Sequence, residues 1–140
     1  MLIVSSIGDY NQRIIDEFRA NAGKPPSWTG PSSLLLLHHR GAKSGTERVN
    51  PVAYLEDGGR YVIFASKAGA PTHPGWYHNL RAHPETTIEV GNETIAVTAN
   101  VASEQERERL YAAQTQRSPQ FAEYQRKTDR LIPAVVLTPR

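Results

Sequence analysis

Residues 34–66 read LLLLHHRGAKSGTERVNPVAYLEDGGRYVIFAS, and this stretch decides the fold class. Leu34 to His39 is apolar and bounded by breakers, the pattern of a buried strand. Gly41-Ala42-Lys43-Ser44-Gly45 is a turn. Arg48 to Leu55 follows as a strand, and Pro51, which has no N–H for a ladder, places it at an edge or a bulge. Asp57-Gly58-Gly59 signals a hairpin, after which Arg60 to Ser66 returns as a third strand. Strands joined by turns this short run antiparallel and leave no room for a crossover helix.

Working outward, Thr86 to Val90 and Thr94 to Val101 repeat the pattern around Gly91-Asn92. Pro133 to Thr138 closes the chain as a last strand. Asp9 to Asn21 reads as a helix: Ile14, Ile15 and Phe18 recur at helical spacing, Asp9 caps the start and Gly23 stops it. Lys24 to Ser33 is a Pro- and Gly-rich loop from which Trp28 is expected to fold back onto the body. Lys67 to Gly75 is a second loop, and Gly75 to His83 a short helix ending before Pro84. Ser103 with Glu106 three residues on forms a capping box for a helix to about Gln116. Another helical segment runs from Ser118-Pro119 to about Arg126. Strands outnumber helices and hairpins are local, so a Rossmann fold is excluded and a small antiparallel barrel with flanking helices, mainly β in an α+β setting, fits.

The 140 residues suit one domain over 1–140, with its N-terminal helix at about 9–22. No cysteine is present, which excludes disulfides, thiolate metal sites and thiol catalysis. The longest apolar run falls far short of the ~20 residues a bilayer helix needs, and the start lacks a basic n-region. A cytoplasmic protein is expected. The apolar residues Met1 to Ile7 suit peripheral membrane contact or packing on a neighbour, and exposed strand edges suit a monomer or a dimer.

Charge is unevenly spread. The net is +2, too mild to mark a nucleic-acid binder, and no aromatic pair sits on a basic strand. Between His38 and Arg81, however, Arg40, Lys43, Arg48, Arg60, Lys67 and Arg81 face only Glu47, Glu56 and Asp57, and all five histidines lie between 38 and 83. Anion chemistry belongs in this segment. The two glycines of 41–45 free backbone N–H groups to converge on an anion, with Lys43 and Ser44 beside them. Arg48 returns toward the same anion as a fork donor. Asn50 offers a donor and an acceptor to a planar heterocycle. Small residues at Ala65-Ser66 let a flat ring approach the backbone beside Lys67, and Trp76 at a helix start can wall an aromatic slot. No metal site is expected, because His73, His78 and His83 rotate by about 140° at each step on a helix and share no face. No nucleophile elbow or paired carboxylates are evident. Anion grips without an acid, base or nucleophile point to a bound cofactor as the source of reactivity.

The order of these motifs, from Ile15 through Lys24, Leu34-Leu37, Gly41-Gly45, Arg48-Pro51, Asp57-Tyr61, Ala65-Lys67, Trp76-Leu80 and Thr128-Asp129-Arg130, resembles the deazaflavin-dependent nitroreductase family. These are the coenzyme F420-utilising split β-barrel oxidoreductases of actinobacteria, and the resemblance covers roughly residues 10–139. It implies an FMN-binding-like split barrel holding coenzyme F420 and moving hydride from its reduced form to a small acceptor of quinone-like, nitroaromatic or enone type. By the family pattern, Lys43, Ser44 and Arg48 hold the phosphate and tail. Asn50, Pro51, Ala65, Ser66 and Lys67 line the ring slot, and Trp76 and Tyr77 close it. Trp28, Ser118, Phe121 and Tyr124 shape the acceptor pocket, with Tyr124 and Ser66 as the catalytic side chains. The chain departs from the family in that segment, where Tyr124 alone keeps a phenol, and in the turn, where Ala42 replaces a common arginine. An FMN-dependent reductase and a non-catalytic F420 carrier on the same barrel stay open at this point.

Overall fold

The computed structural model describes residues 6–140. Strands β1 (Ser33–Arg40), β2 (Glu47–Asp57), β3 (Arg60–Phe64), β4 (Glu85–Val90), β5 (Glu93–Val101) and β6 (Ala134–Pro139) close into one antiparallel barrel in the order β1-β2-β3-β6-β5-β4. Helix α1 (Ser6–Ala20) precedes the barrel, and α2 (Gly75–Ala82) joins β3 to β4. Helices α3 (Glu104–Arg117) and α4 (Gln120–Arg126) join β5 to β6. The expected α+β split barrel is the observed fold.

Each strand's sequence reports how many of its faces are covered. Inside the barrel, Leu35, Leu37, Ile63, Ile88, Val97, Val135 and Leu137 form the core, plugged by Tyr77 and Leu80 of α2. Outside, Leu34 and Leu36 of β1 lie under Ile14, Ile15 and Phe18 of α1. Val62, Phe64, Ala134 and Val136 lie under Leu110, Tyr111 and Phe121 of α3 and α4. Strands β1, β3 and β6 are therefore buried on both faces and read as unbroken apolar runs. Among the described residues no helix covers the outer face of β4 and β5, where exposed Glu93, Thr94 and Ala96 accompany buried Val97 and Ala99, the pattern of a one-sided strand. Burying a side chain such as Phe18 contributes roughly 1.5–3 kcal/mol.

Two local expectations change. Helix α1 is already formed at Ser6, so Asp9 lies within it and is not its cap. Ser103 does cap α3, its hydroxyl accepting from the Glu106 N–H at 3.2 Å, but Glu106 does not complete a capping box. Its carboxylate instead accepts from Arg60 and Arg109. Pro51 does lie at an edge, as expected: β2 pairs with β1 from Ser33↔Tyr54 to Arg40↔Glu47, Leu36↔Pro51 included. On its other side β2 pairs with β3 only from Tyr54 to Asp57. Residues 47–53 thus have one strand neighbour, and this open half-edge is where the barrel splits.

Gly23 ends α1 as expected, with φ +86 and its N–H on the Phe18 carbonyl. A Cβ there would lie 2.7 Å from the Gly91 Cα, so the residue must be glycine both for its backbone and for the approach of the β4–β5 hairpin. Among the described residues no helix is long and apolar enough to cross a membrane. The contact expected of residues 1–7 rests on side chains outside the described residues.

Candidate active site

A cleft of about 220 Å3 opens at the free half-edge of β2. Pro51, Val52 and Ala53 form one wall, and Ser66, Lys67 and Ala68, just after β3, form the next. Pro74 and Trp76 come from the start of α2, Trp28 and Ser32 from the loop after α1, and Ser118, Phe121 and Tyr124 from the α3–α4 junction. Its volume is below the ~300 Å3 typical of a whole-ligand pocket. It is the size of a ring system, not of a whole extended cofactor.

The acceptor residues expected from the resemblance, Trp28, Ser118, Phe121 and Tyr124, all reach this cleft. Trp28 folds back as expected, its indole N–H donating to the Ser32 carbonyl at 2.7 Å. Phe121 is buried and meets Phe64 and Tyr124 edge-on, with centroids 5.8 and 5.1 Å apart. Among the described residues, no side-chain hydrogen bond occupies the Tyr124 hydroxyl. Of the ring-slot residues, Pro51, Ser66, Lys67 and Trp76 line the cleft.

Others stand elsewhere. Tyr77 is displaced from the slot: it follows Trp76 on α2, and neighbours on a helix point about 100° apart. It is buried in the barrel core, packs at a tilt against His73 with centroids 4.5 Å apart, and borders a separate cavity of about 200 Å3 with Leu80 and Val135. The Ala65 side chain also faces the barrel core. Asn50 is not free to offer both its groups, because its Oδ1 lies 2.6 Å from His39 Nε2. Asn79 Nδ2 donates to His39 Nδ1 at 2.9 Å, which places the ring proton on Nε2 and leaves Asn50 its N–H groups alone. Burial, chiefly, lowers the pKa of His39 and keeps that tautomer neutral.

In the turn at 41–45, the amides of Lys43 and Ser44 have no partner among the described residues, while the others are taken within the protein. Gly41 N–H bonds the Thr46 carbonyl and Gly45 N–H the Gly41 carbonyl. Ala42 N–H goes to Asn79 Oδ1 and Thr46 N–H to Ser44 Oγ. What this turn presents is the exposed side chains of Lys43 and Ser44, with exposed Arg48 nearby on β2.

The wall at 66–68 is strained. Lys67 and Ala68 have φ of +47 and +54, followed by Gly69 at +84. A left-handed L residue costs roughly 1–2 kcal/mol, so two in succession require support. A Cβ at Gly69 would sit 2.7 Å from the Tyr124 carbonyl oxygen, so α4 rests directly on this turn. Arg130 grips it from the other side, with Nε on the Ala70 carbonyl, Nη1 on that of Ala65 and Nη2 on that of Ser66, at 2.9, 3.0 and 2.8 Å. Behind α4, buried Arg107 donates to the Ile132 carbonyl and to Gln125, and Gln125 donates to the Arg130 carbonyl. No motif or charge pattern in the sequence marks a role for Arg107, Gln125 or Arg130. One signal was present: Arg107, Leu110, Tyr111, Gln114 and Ser118 form a single buried helical stripe, in which an arginine and a glutamine stand out.

Fold and cleft together define a split barrel with a ring-sized cleft at its open edge. The family described as F420H(2)-dependent quinone reductase matches over residues 11–139. An F420H(2)-dependent quinone reductase of Mycobacterium tuberculosis strain H37Rv is 41% identical over 121 residues, covering 84% of this chain and 76% of that protein. A solved F420-H2 dependent reductase, FDR-A, is 39% identical with a TM-score of 0.69, over 74% of this chain and 92% of that one. Another solved chain, described as a domain-swapped dimer, is 31% identical with a TM-score of 0.71, over 95% and 99%. This chain belongs to the F420H2-dependent quinone reductase family, and so to the F420H2-dependent reductases.

Proposed function

We propose that this protein transfers hydride from reduced coenzyme F420 to a quinone-type acceptor in the cleft between β2, the 66–68 turn and α4. One observation carries this reading: Trp28, Pro51, Lys67, Trp76, Phe121 and Tyr124, distant in sequence, meet around one cleft. Bound reduced F420 supplies the hydride. The protein supplies orientation, exclusion of water and a proton. Family membership favours the deazaflavin over FMN.

The residues fit such a cofactor. Pro51 and Trp76 give the ring slot flat walls, and Asn50, with its oxygen engaged by His39, has only N–H groups left for ring carbonyls. Lys67 sits at the rim of the slot and is exposed, while Lys43 and Arg48 take the phosphate and acidic tail where these leave the cleft. Trp28, Phe121 and Tyr124 cover the acceptor. A quinone that gains a hydride needs one proton at its oxygen, and the Tyr124 phenol is the donor in that wall, reprotonated from solvent. Ser66 offers a second hydroxyl at the slot. With Ser118 buried and Phe121 apolar, this pocket grips polar acceptors through one phenol and suits flat, apolar quinones.

Fluorescence titration with oxidised F420 beside FMN tests the cofactor, and steady-state oxidation of the reduced coenzyme by a menadione-type quinone tests turnover. Micromolar F420 binding with quinone-dependent oxidation is expected. Binding without turnover would reduce the protein to a carrier, and preference for FMN would overturn the cofactor.

A further inference from the structure

We propose that Arg130 is a positioning residue of the cofactor cleft, holding residues 65–73 so that the strained turn presents Ser66 and Lys67 to the ring, with His73 completing its grip. The inference rests on placing the ring at Ser66 and Lys67.

Arg130 does not line the cleft, so any effect on the cofactor acts through the turn it holds. Four of its five N–H donors converge there: three on the carbonyls of Ala65, Ser66 and Ala70, and one on His73 Nδ1 at 2.9 Å. The left-handed backbone at 67–69 brings these carbonyls onto one side, and a planar fork satisfies them where a lysine's point charge does not. The support is shared. Gln125 accepts from the Ile132 N–H at 3.0 Å and donates to the Arg130 carbonyl at 2.8 Å, and it belongs to α4, as does Tyr124. The wall that meets the cofactor and the wall that meets the acceptor are therefore set by one polar frame.

His73 makes the grip depend on protonation. A guanidinium only donates, so Nδ1 must be unprotonated to accept from it. Burial and then the charges of Arg130, His78 and Arg81 lower the His73 pKa, and the Tyr77 ring packs against it at a tilt. These surroundings keep His73 neutral at physiological pH. Once protonated it turns a donor toward a donor and releases its part of the turn.

The test is a fluorescence titration with oxidised F420, at pH 5 to 8, of the wild type and the variants Arg130→Lys, Arg130→Ala and His73→Asn, with melting temperatures and menadione kinetics alongside. We expect both Arg130 variants to bind F420 about tenfold or more weakly at pH 7. Millimolar guanidinium should recover part of the Arg130→Ala affinity, and lysine should not substitute. His73→Asn retains an acceptor oxygen, so it should bind normally at pH 7. Titration of the cofactor itself is common to all these proteins, so the difference between profiles is what is read. As pH falls below the ordinary histidine value of 6.5, wild-type affinity should fall more steeply than that of His73→Asn. Wild-type affinity in Arg130→Lys, or a loss that follows melting temperature and ignores guanidinium, would overturn the proposal. If the Arg130 variants do not fold, the pH comparison decides: parallel profiles for wild type and His73→Asn overturn it. A wild type that does not bind F420 at any pH fails the cofactor reading instead, and the inference falls with it.

Discussion

Lys67 and Tyr124 come from different segments of the chain, and different experiments read them. Lys67→Ala removes a cation from the rim of the ring slot and should raise the F420 dissociation constant roughly tenfold, at the low end for a charged hydrogen bond because the side chain is exposed. Lys43→Ala, on the exposed turn, should raise it about fivefold, and an unchanged titration would remove Lys43 from the site. Tyr124→Phe leaves the ring slot intact. It should lower kcat with a quinone about tenfold or more while F420 affinity stays put, and an unaltered kcat would show that solvent supplies the proton. Among single residues, Trp28, Phe121 and Tyr124 were legible because side-chain type and motif order carry their identity. Arg130 was not, although it stood in a quoted motif. Its partners are carbonyls and a histidine 57 to 65 residues away, and carbonyls are the same in every sequence.

At the scale of elements, α3 does more than cover the barrel. Its buried Arg107, Leu110, Tyr111 and Gln114 link the β3–β6 face to α4 and to Ser32. Arg107→Ala would leave the buried Ile132 carbonyl without a donor inside the protein and the Gln125 oxygen with the Ile132 N–H alone. It should cost about 3 kcal/mol in urea unfolding, and a cost below about 1 kcal/mol would show that water replaces it. At its start, α3 is tied to the β2–β3 hairpin through Arg109 and Arg60, which hold the Asp57 carboxyl down at about 2. The folded state therefore binds fewer protons than the unfolded chain between this value and the ordinary 3.8. The stabilisation is complete above that window and is lost as pH falls through it. The melting-temperature advantage of the wild type over Asp57→Asn should shrink between about pH 4 and pH 2, and a constant difference would exclude the linkage. Element types were readable from periodicity. The Glu106 partner was not, since a capping residue is local whereas Arg60 and Arg109 reach it only after the hairpin docks on α3.

For the whole molecule, the cleft is assembled from five separate segments, so a ligand filling it binds only the folded chain. F420 at about 100 times its dissociation constant should stabilise the protein by about 2.7 kcal/mol, raising the melting temperature by roughly 8 °C, while FMN at the same concentration should not. Equal shifts would return the choice of ring to the flavin. What the sequence by itself determined is the layering: β1, β3 and β6 read as unbroken apolar runs because both faces are covered, and β4 and β5 alternate because one face is wet. Turn chemistry set the antiparallel order, and motif order identified the family. Tertiary structure alone decided that β2 leaves its first half unpaired on one side, and that Trp76 and Tyr77, adjacent in sequence, serve a cleft and a core. It also decided that the amides of 41–46 are largely spent within the turn and on Asn79. The reason is physical. Burial and periodicity are properties of a segment, whereas the partner of a polar group depends on which distant atoms the closed barrel brings within about 3 Å.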